Sequence, residues 1–331
     1  IRGAGIDSLE KGFTKYTSNA GMSELRREIA SYLERRFQLK YDFASQIIVT
    51  VGGSEGIDLA LRCMVDPGDE VIVPVPSFVC YGPLANMAGG VPVYVETKAE
   101  NEFRLTAEEL RAAITPKTKV LVLPYPNNPT GGIMEREDLE AIAEVLRDTN
   151  ILVLSDEIYA ELTYGGKKHV SIASIDGMRE RTIVVNGFSK TYAMTGWRLG
   201  YAVGPAPLIR EMIKIHQFAI MCAPTTSQLA AVEALRSCDE EIEAMRDEYD
   251  MRGKYLVGEL NRIGLECFQP QGAFYVFPSI RRTGLSSEEF CERLLREERV
   301  AVIPGSAFGG WGEGHIRISY CYSLQHLKIA V

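Results

Sequence analysis

The sequence is poor in the residues from which metal centres and disulfide frameworks are built. Only four histidines occur (His169, His216, His315 and His326), and they are dispersed. The seven cysteines (Cys63, Cys80, Cys222, Cys238, Cys267, Cys291 and Cys321) are odd in number, and no two stand in C-x-x-C spacing. No zinc signature forms and a disulfide scaffold is argued against. The thiols read as reduced, mostly small core residues of a cytoplasmic protein. Positive charge is scarce too. Against 44 Asp and Glu stand 36 Lys and Arg, a net charge of −8, so a broad basic footprint for nucleic acid is missing. No apolar run approaches the ~20 residues that span a bilayer, which speaks against a membrane partner. Repeats, low-complexity tracts and Pro/Gly linkers are absent. The glycine-rich turn at 51–56 (VGGSEG) fits neither the dinucleotide G-x-G-x-x-G nor a P-loop, because no Gly-Lys-Ser/Thr follows.

What remains is the material of an ordinary globular protein. Apolar residues make up 46% and charged residues 24% of 331, enough for one large or two medium domains with a sizeable core. From residue 46 onward, short Val- and Ile-rich runs alternate with amphipathic stretches. Strands are predicted at 46–51, 70–73, 91–96, 119–123, 151–154, 182–185 and 199–203. Helices are predicted at 54–65, 81–88, 106–114 and 135–147, the third opening on a Thr106-Ala-Glu-Glu capping box. The alternation indicates an α/β fold with a mostly parallel sheet covered on both faces. After about residue 205 the pattern changes. A long helix at 239–261, an alternating strand pair within 264–278 turning at Gln271-Gly272, a helix at 286–298 and short strands at 300–303 and 315–319 describe a smaller α+β domain. The division is placed at 1–248 and 249–331. The chain opens on Ile1 and closes inside a helical pattern at 327–331, so an amino-terminal arm and the rest of that helix are expected beyond its two ends.

Chemistry gathers at the ends of the predicted strands. In 186–204 (NGFSKTYAMTGWRLGYAVG), Lys190 follows a strand through a small-residue turn and Arg198 follows eight residues later. Lysines are mostly exposed, but this one is surrounded in sequence by small residues and by Phe188, Tyr192, Met194 and Trp197. Among such neighbours and near Arg198 its neutral amine is favoured, as a Schiff-base lysine requires. The run 151–159 (ILVLSDEIY) delivers Asp156 at a strand end, where it could also simply cap a helix. Residues 124–131 (PYPNNPTG) read as a turn after a strand. The turn at 51–56, between strand and helix, would direct free N–H groups at an anion.

The stretch Gly187-Phe188-Ser189-Lys190…Gly196-Trp197-Arg198-Leu199-Gly200 resembles the lysine signature of class I aminotransferases, and the resemblance extends over essentially the whole chain. It implies a two-domain enzyme dependent on pyridoxal 5'-phosphate, carried as an imine on Lys190. Asp156 is then the partner of the pyridine nitrogen, keeping it protonated. Tyr159 and Asn128 (of Asn-Pro-Thr-Gly) reach the cofactor's phenolic oxygen, and Asn128 also helps to hold the substrate. Gly53, Ser54 and Glu55 offer backbone donors to the phosphate, with the Glu55 carboxylate turned away. Arg198 supplies the cation and Ser189 assists. Gly187 departs from the pattern, standing where some members place a phosphate-binding serine or threonine. Phe78 matches an aromatic that lies on the cofactor ring. Tyr16 matches a tyrosine that reaches the neighbouring subunit's phosphate, implying a homodimer. Arg317, in HIRISY, matches the arginine that grips the substrate carboxylate at two points. Glu157 is taken as solvated or structural.

These correspondences imply transamination between an amino acid and a 2-oxo acid. Two alternatives share the pattern: a carbon–sulfur β-lyase and a non-catalytic PLP-binding regulatory module. An aromatic or other neutral donor is expected, because Phe218 and Asn86 fall where two aspartate-specific branches carry a cation. Phe218 and Phe78 would then form an apolar wall.

Overall fold

Strands that are apolar at every position can be stable only when both faces are covered, and that requirement organises the chain. The computed structural model describes all of residues 1–331. Seven strands form one sheet: β1 (Ile47–Thr50), β2 (Glu70–Val75), β3 (Val91–Glu96), β4 (Thr118–Leu123), β5 (Leu152–Asp156), β6 (Thr182–Gly187) and β7 (Gly200–Val203). Their spatial order is β1-β7-β6-β5-β4-β2-β3. Only β7 opposes its neighbours; β2 to β6 pair in parallel. Every residue of β1, β6 and β7 is buried. Ile48, Val71, Val120, Leu154, Val185 and Ala202 pack in a single cluster on one face, with Leu61 and Met64 of the helix Gly52–Met64. On the other face Leu25 and Leu33 meet Val49, Val184 and Tyr201, while Leu139 and Ile142 meet Leu121 and Val153. Each such aliphatic side chain contributes about 1.5–3 kcal/mol on burial. The expected capping box forms, Thr106 accepting from Glu109 N–H while Glu109 accepts from Thr106 N–H. No helix is long and apolar enough to cross a membrane.

The helix Asp239–Arg262 passes from one core to another. Ile242 packs with the cluster of Leu25 and Tyr201, whereas Leu256, Val257 and Leu260 pack with Phe274, Val276 and Tyr320. Beyond it lies an antiparallel sheet of β8 (Tyr275–Val276), β9 (Ile303–Pro304) and β10 (Ile316–Ser319), ordered β8-β10-β9. The strand pair expected within 264–278 does not form. The Gln271 and Gly272 N–H groups both donate to Gly131 O and Ala273 N–H donates to Leu162 O, so the turn is stitched to distant segments. Gly272 bridges Thr163, and β8 alone remains as a strand. Tyr159, Leu162 and Tyr164 share the cluster of Phe274 and Tyr320, tying the segment after β5 to the carboxyl-terminal part.

Candidate active site

In an open parallel sheet, the carboxyl ends of the strands leave a crevice where ligands bind. Here a cavity of about 250 Å³ opens at that edge, and nearly every candidate residue arrives there from a different strand. β4 leads to Asn128, β5 ends on Asp156 and runs on to Tyr159, and β6 ends on Gly187 just before Ser189 and Lys190. β1 leads to Gly53 and Ser54, and β2 leads to Phe78. Antiparallel β7 begins where the others finish, which places Arg198 at the same edge. Arg317 comes from β10. Gly187 apart, all of these residues line the one cavity.

Glycines allow the crowded register at its base. Gly200 pairs with Thr50 on one side and Gly187 on the other. A Cβ at Gly200 would lie 2.6 Å from the carbonyl carbon of Gly52, and a Cβ at Gly52 would lie 2.6 Å from Nη2 of Arg198. Any side chain at either position would displace the loop or the guanidinium. At Gly187 a Cβ would stand 3.0 Å from Gly200 Cα, so the two glycines pack closely across the strand pair. The helix Gly52–Met64 starts at this loop, so its first N–H groups and positive end face the cavity beside Arg198.

The electrostatics separate two opposite charges. Asp156 is 7% exposed, and burial raises its carboxyl from the ordinary 3.8 to about 6. Oδ2 accepts from the Tyr81 hydroxyl at 2.7 Å and Oδ1 from Ile158 N–H at 3.2 Å, both of which favour the anion. Lys190 is half-buried, with Nζ 5.4 Å from the ring centre of Phe274 and 5.8 Å from that of Tyr159. Burial holds its amine below the ordinary lysine value, and Arg317 and Arg198 act in the same direction. A partly desolvated lysine of this kind is a nucleophile and a base. Arg317 lies over the Tyr275 and Phe308 rings, its Cζ 4.6 and 5.2 Å from their centres. Nη1 donates to Asn128 Oδ1 at 2.9 Å, while Nε is buried with no partner. Such a stacked, planar cation with a free N–H edge is suited to a carboxylate.

Four further residues weighed from the sequence lie outside the cavity lining. Glu55 does not line the cavity; its carboxylate accepts from Val51 N–H at 2.5 Å and sits 2.7 Å from His216 Nδ1. Phe218 does not join Phe78 in a wall, because it lies on the helix Ala206–Ala219 with 86% of its surface exposed. Tyr16 is 80% exposed and lies away from its own chain's cavity. Glu157 takes the structural of its two expected roles: it is buried, accepting from the Ser155 and Ser171 hydroxyls at 2.8 and 2.6 Å and lying 2.8 Å from His169 Nε2. Three polar lining residues escaped the sequence reading. Tyr81 fixes Asp156, Tyr275 supports Arg317 and lies hydroxyl to hydroxyl with Tyr159 at 3.1 Å, and Thr195 accepts from Arg198 Nη1 through its carbonyl at 3.1 Å. Their partners are distant in sequence or backbone-mediated, so no local pattern marks them.

The donor set suits a phosphorylated, aldehyde-bearing pyridine. It offers an amine with depressed basicity, a buried carboxylate, and a glycine cradle beside an arginine. Comparison with known proteins agrees. The family model "Aminotransferase class I and II" matches residues 1–331. YugH of Bacillus subtilis is 51% identical over all of this chain and 86% of its own length. An aspartate aminotransferase of Pyrococcus abyssi is 46% identical over 98% of this chain and 84% of that protein. The crystal structure of an aromatic aminotransferase from Pyrococcus horikoshii superposes with a TM-score of 0.97 at 44% identity, covering 99% of this chain and 89% of that one. The chain belongs to the class I and II aminotransferase family. It is a pyridoxal-phosphate-dependent enzyme that transfers amino groups between amino acids and 2-oxo acids.

Proposed function

We propose that this aminotransferase uses a neutral amino acid, aromatic ones foremost, as donor and a 2-oxo acid such as 2-oxoglutarate as acceptor, working as a cytoplasmic homodimer. One observation carries the donor preference. Only three cations line the cavity, Lys190, Arg198 and Arg317, and each has a task in the reaction. The second carboxylate of aspartate would find no cation left in the chain's own lining, and leaving it unpaired in a dehydrated site is costly. Phe78 and Tyr275 offer apolar surface instead. 2-Oxoglutarate would take its distal contact from outside this lining.

Pyridoxal phosphate supplies a carbonyl carbon that takes up the amino group and a ring that withdraws electrons from the substrate's α-carbon. Lys190 holds the cofactor covalently between turnovers, and its amine then moves the α-proton, a task that its lowered basicity supports. Asp156 keeps a proton on the ring nitrogen, oriented by Tyr81. Tyr159 and Asn128 serve the phenolic oxygen. Gly53 and Ser54, with Ser189 and Arg198, take the phosphate. Phe78 packs on the ring. Arg317 binds the substrate carboxylate, and its link to Asn128 couples substrate and cofactor contacts. Tyr16 serves the neighbouring subunit. In this reading the large domain, 1–248, holds the cofactor, and the small one, 249–331, brings Arg317 and closes on substrate. The test is half-reaction kcat/KM for phenylalanine, tyrosine, alanine and aspartate in one buffer. Aspartate ahead of both aromatics overturns the proposal; alanine in front retains the neutral pocket and removes the aromatic preference.

A further inference from the structure

Glu55 is an unusual neighbour for a phosphate. It lies in the first turn of the helix Gly52–Met64, one residue past Ser54. A carboxylate near a helix N-terminus is favoured by the same N–H groups that would bind an anion, so the two compete. The structure resolves the competition by folding the side chain backwards. Oε2 accepts from Val51 N–H at 2.5 Å, and Oε1 lies 2.7 Å from Nδ1 of His216. His216 comes from the helix Ala206–Ala219, 161 residues away in sequence, and none of its surface is exposed. Its other ring nitrogen, Nε2, has no partner. A bare ring nitrogen left alone in a core is less costly than an orphaned N–H, so the arrangement places the proton on Nδ1, donating to Glu55. The only polar contact that this buried side chain makes is therefore the one that anchors Glu55.

We propose that His216 is a positioning residue of the phosphate cup: it holds the Glu55 carboxylate on Val51 N–H, leaving the N–H groups of Gly53 and Ser54 to the cofactor's phosphate. This rests on the reading of Gly53, Ser54 and Arg198 as that cup. Without His216, Glu55 is free to swing toward the helix N-terminus and oppose the incoming dianion. The defect must then be specific to phosphate and must depend on the charge of Glu55.

Both consequences are measured by titrating the whole chain, stripped of cofactor, with pyridoxal phosphate and separately with pyridoxal, which lacks the phosphate. The wild type binds the phosphorylated form far more tightly. H216L weakens pyridoxal phosphate by about tenfold or more, the loss expected when a hydrogen bond to a charged group is removed, and leaves pyridoxal within about twofold. H216L/E55Q regains most of the loss, because glutamine still accepts from Val51 N–H and carries no charge. E55Q alone keeps full preference for the phosphorylated form, and it decides the matter if H216L does not fold. Equal weakening of both ligands in H216L, absence of rescue in the double variant, or loss of the preference in E55Q overturns the proposal. A wild type that does not distinguish the two ligands instead overturns the cup itself.

Discussion

Replacing Asp156 with asparagine is expected to stabilise the cofactor-free protein while disabling the enzyme. Burial lifts the Asp156 carboxyl from 3.8 to about 6, so the folded chain binds a proton there more tightly than the unfolded chain does. A raised carboxyl contributes most to stability below the unfolded value. That contribution is lost as pH rises from about 4 to 6. At 1.36 kcal/mol for each pH unit between the two values, the folded protein above pH 6 carries a burden of about 3 kcal/mol. Asparagine removes the charge but supplies one acceptor oxygen where Tyr81 and Ile158 use two, so part of the relief is returned. The net expectation is roughly 1–3 kcal/mol of added stability at pH 8, a shift of a few degrees in Tm. Thermal unfolding of cofactor-free wild type and Asp156→Asn should diverge at pH 8 and converge near pH 4. In the presence of cofactor the same change should slow transamination at least tenfold, about 1.4 kcal/mol of barrier. A cofactor-free variant no more stable than wild type at pH 8, or a difference independent of pH, would refute the burial argument. A smaller loss of rate would remove Asp156 from the chemistry.

Lys190→Ala should abolish turnover, and borohydride reduction of the native enzyme should fix the cofactor on the peptide containing Lys190; label on any other lysine contradicts the assignment. Arg317→Lys should raise KM for the amino acid more than it weakens cofactor binding, because an ammonium cannot reproduce a stacked two-point contact; equal losses would make Arg317 structural. Tyr81→Phe removes the 2.7 Å hydrogen bond to Asp156, so the Asp156 carboxyl should titrate still higher than about 6 and the acid limb of the pH–rate profile should move up in pH. An unmoved profile would show that Tyr81 serves packing alone.

The strand-end residues were legible because two signals coincide there. A fully apolar run ends abruptly in a chemically specific motif, as in Leu152–Asp156 or Thr182–Gly187, and a parallel sheet then gathers such ends at one edge. Residues whose role depends on an approach from far away left no such mark. Tyr81 meets Asp156 across 75 residues, and Tyr275 meets Tyr159 across 116. The apolar alternation on either side of Gln271-Gly272 resembled a hairpin because strand periodicity cannot reveal who accepts the hydrogen bonds. Gly131 and Leu162 take them. Phe218 fails for a different reason. A match to a position along the chain does not give the direction of a side chain on a helix, and here Phe218 faces out.

The cavity concentrates features that elsewhere would be defects. Asp156 is a buried carboxylate, and Arg317 carries a buried Nε with no partner. Arg198 holds a left-handed backbone at φ 51° and ψ 55° without being glycine. A non-glycine residue in that conformation costs of order 1–3 kcal/mol, and an unsatisfied buried donor costs a similar amount. Such costs persist only where the surroundings fix the geometry. The register of Gly200 between Thr50 and Gly187, and the stacking of Arg317 over Tyr275 and Phe308, provide that constraint. In the proposed reading each of these three residues would complement one charge of the bound molecules: Asp156 a protonated ring nitrogen, Arg198 the phosphate, and Arg317 a carboxylate. Binding therefore draws part of its free energy from relieving strain and desolvation already present in the fold, and a site preorganised in this way needs little rearrangement when charge develops during the reaction.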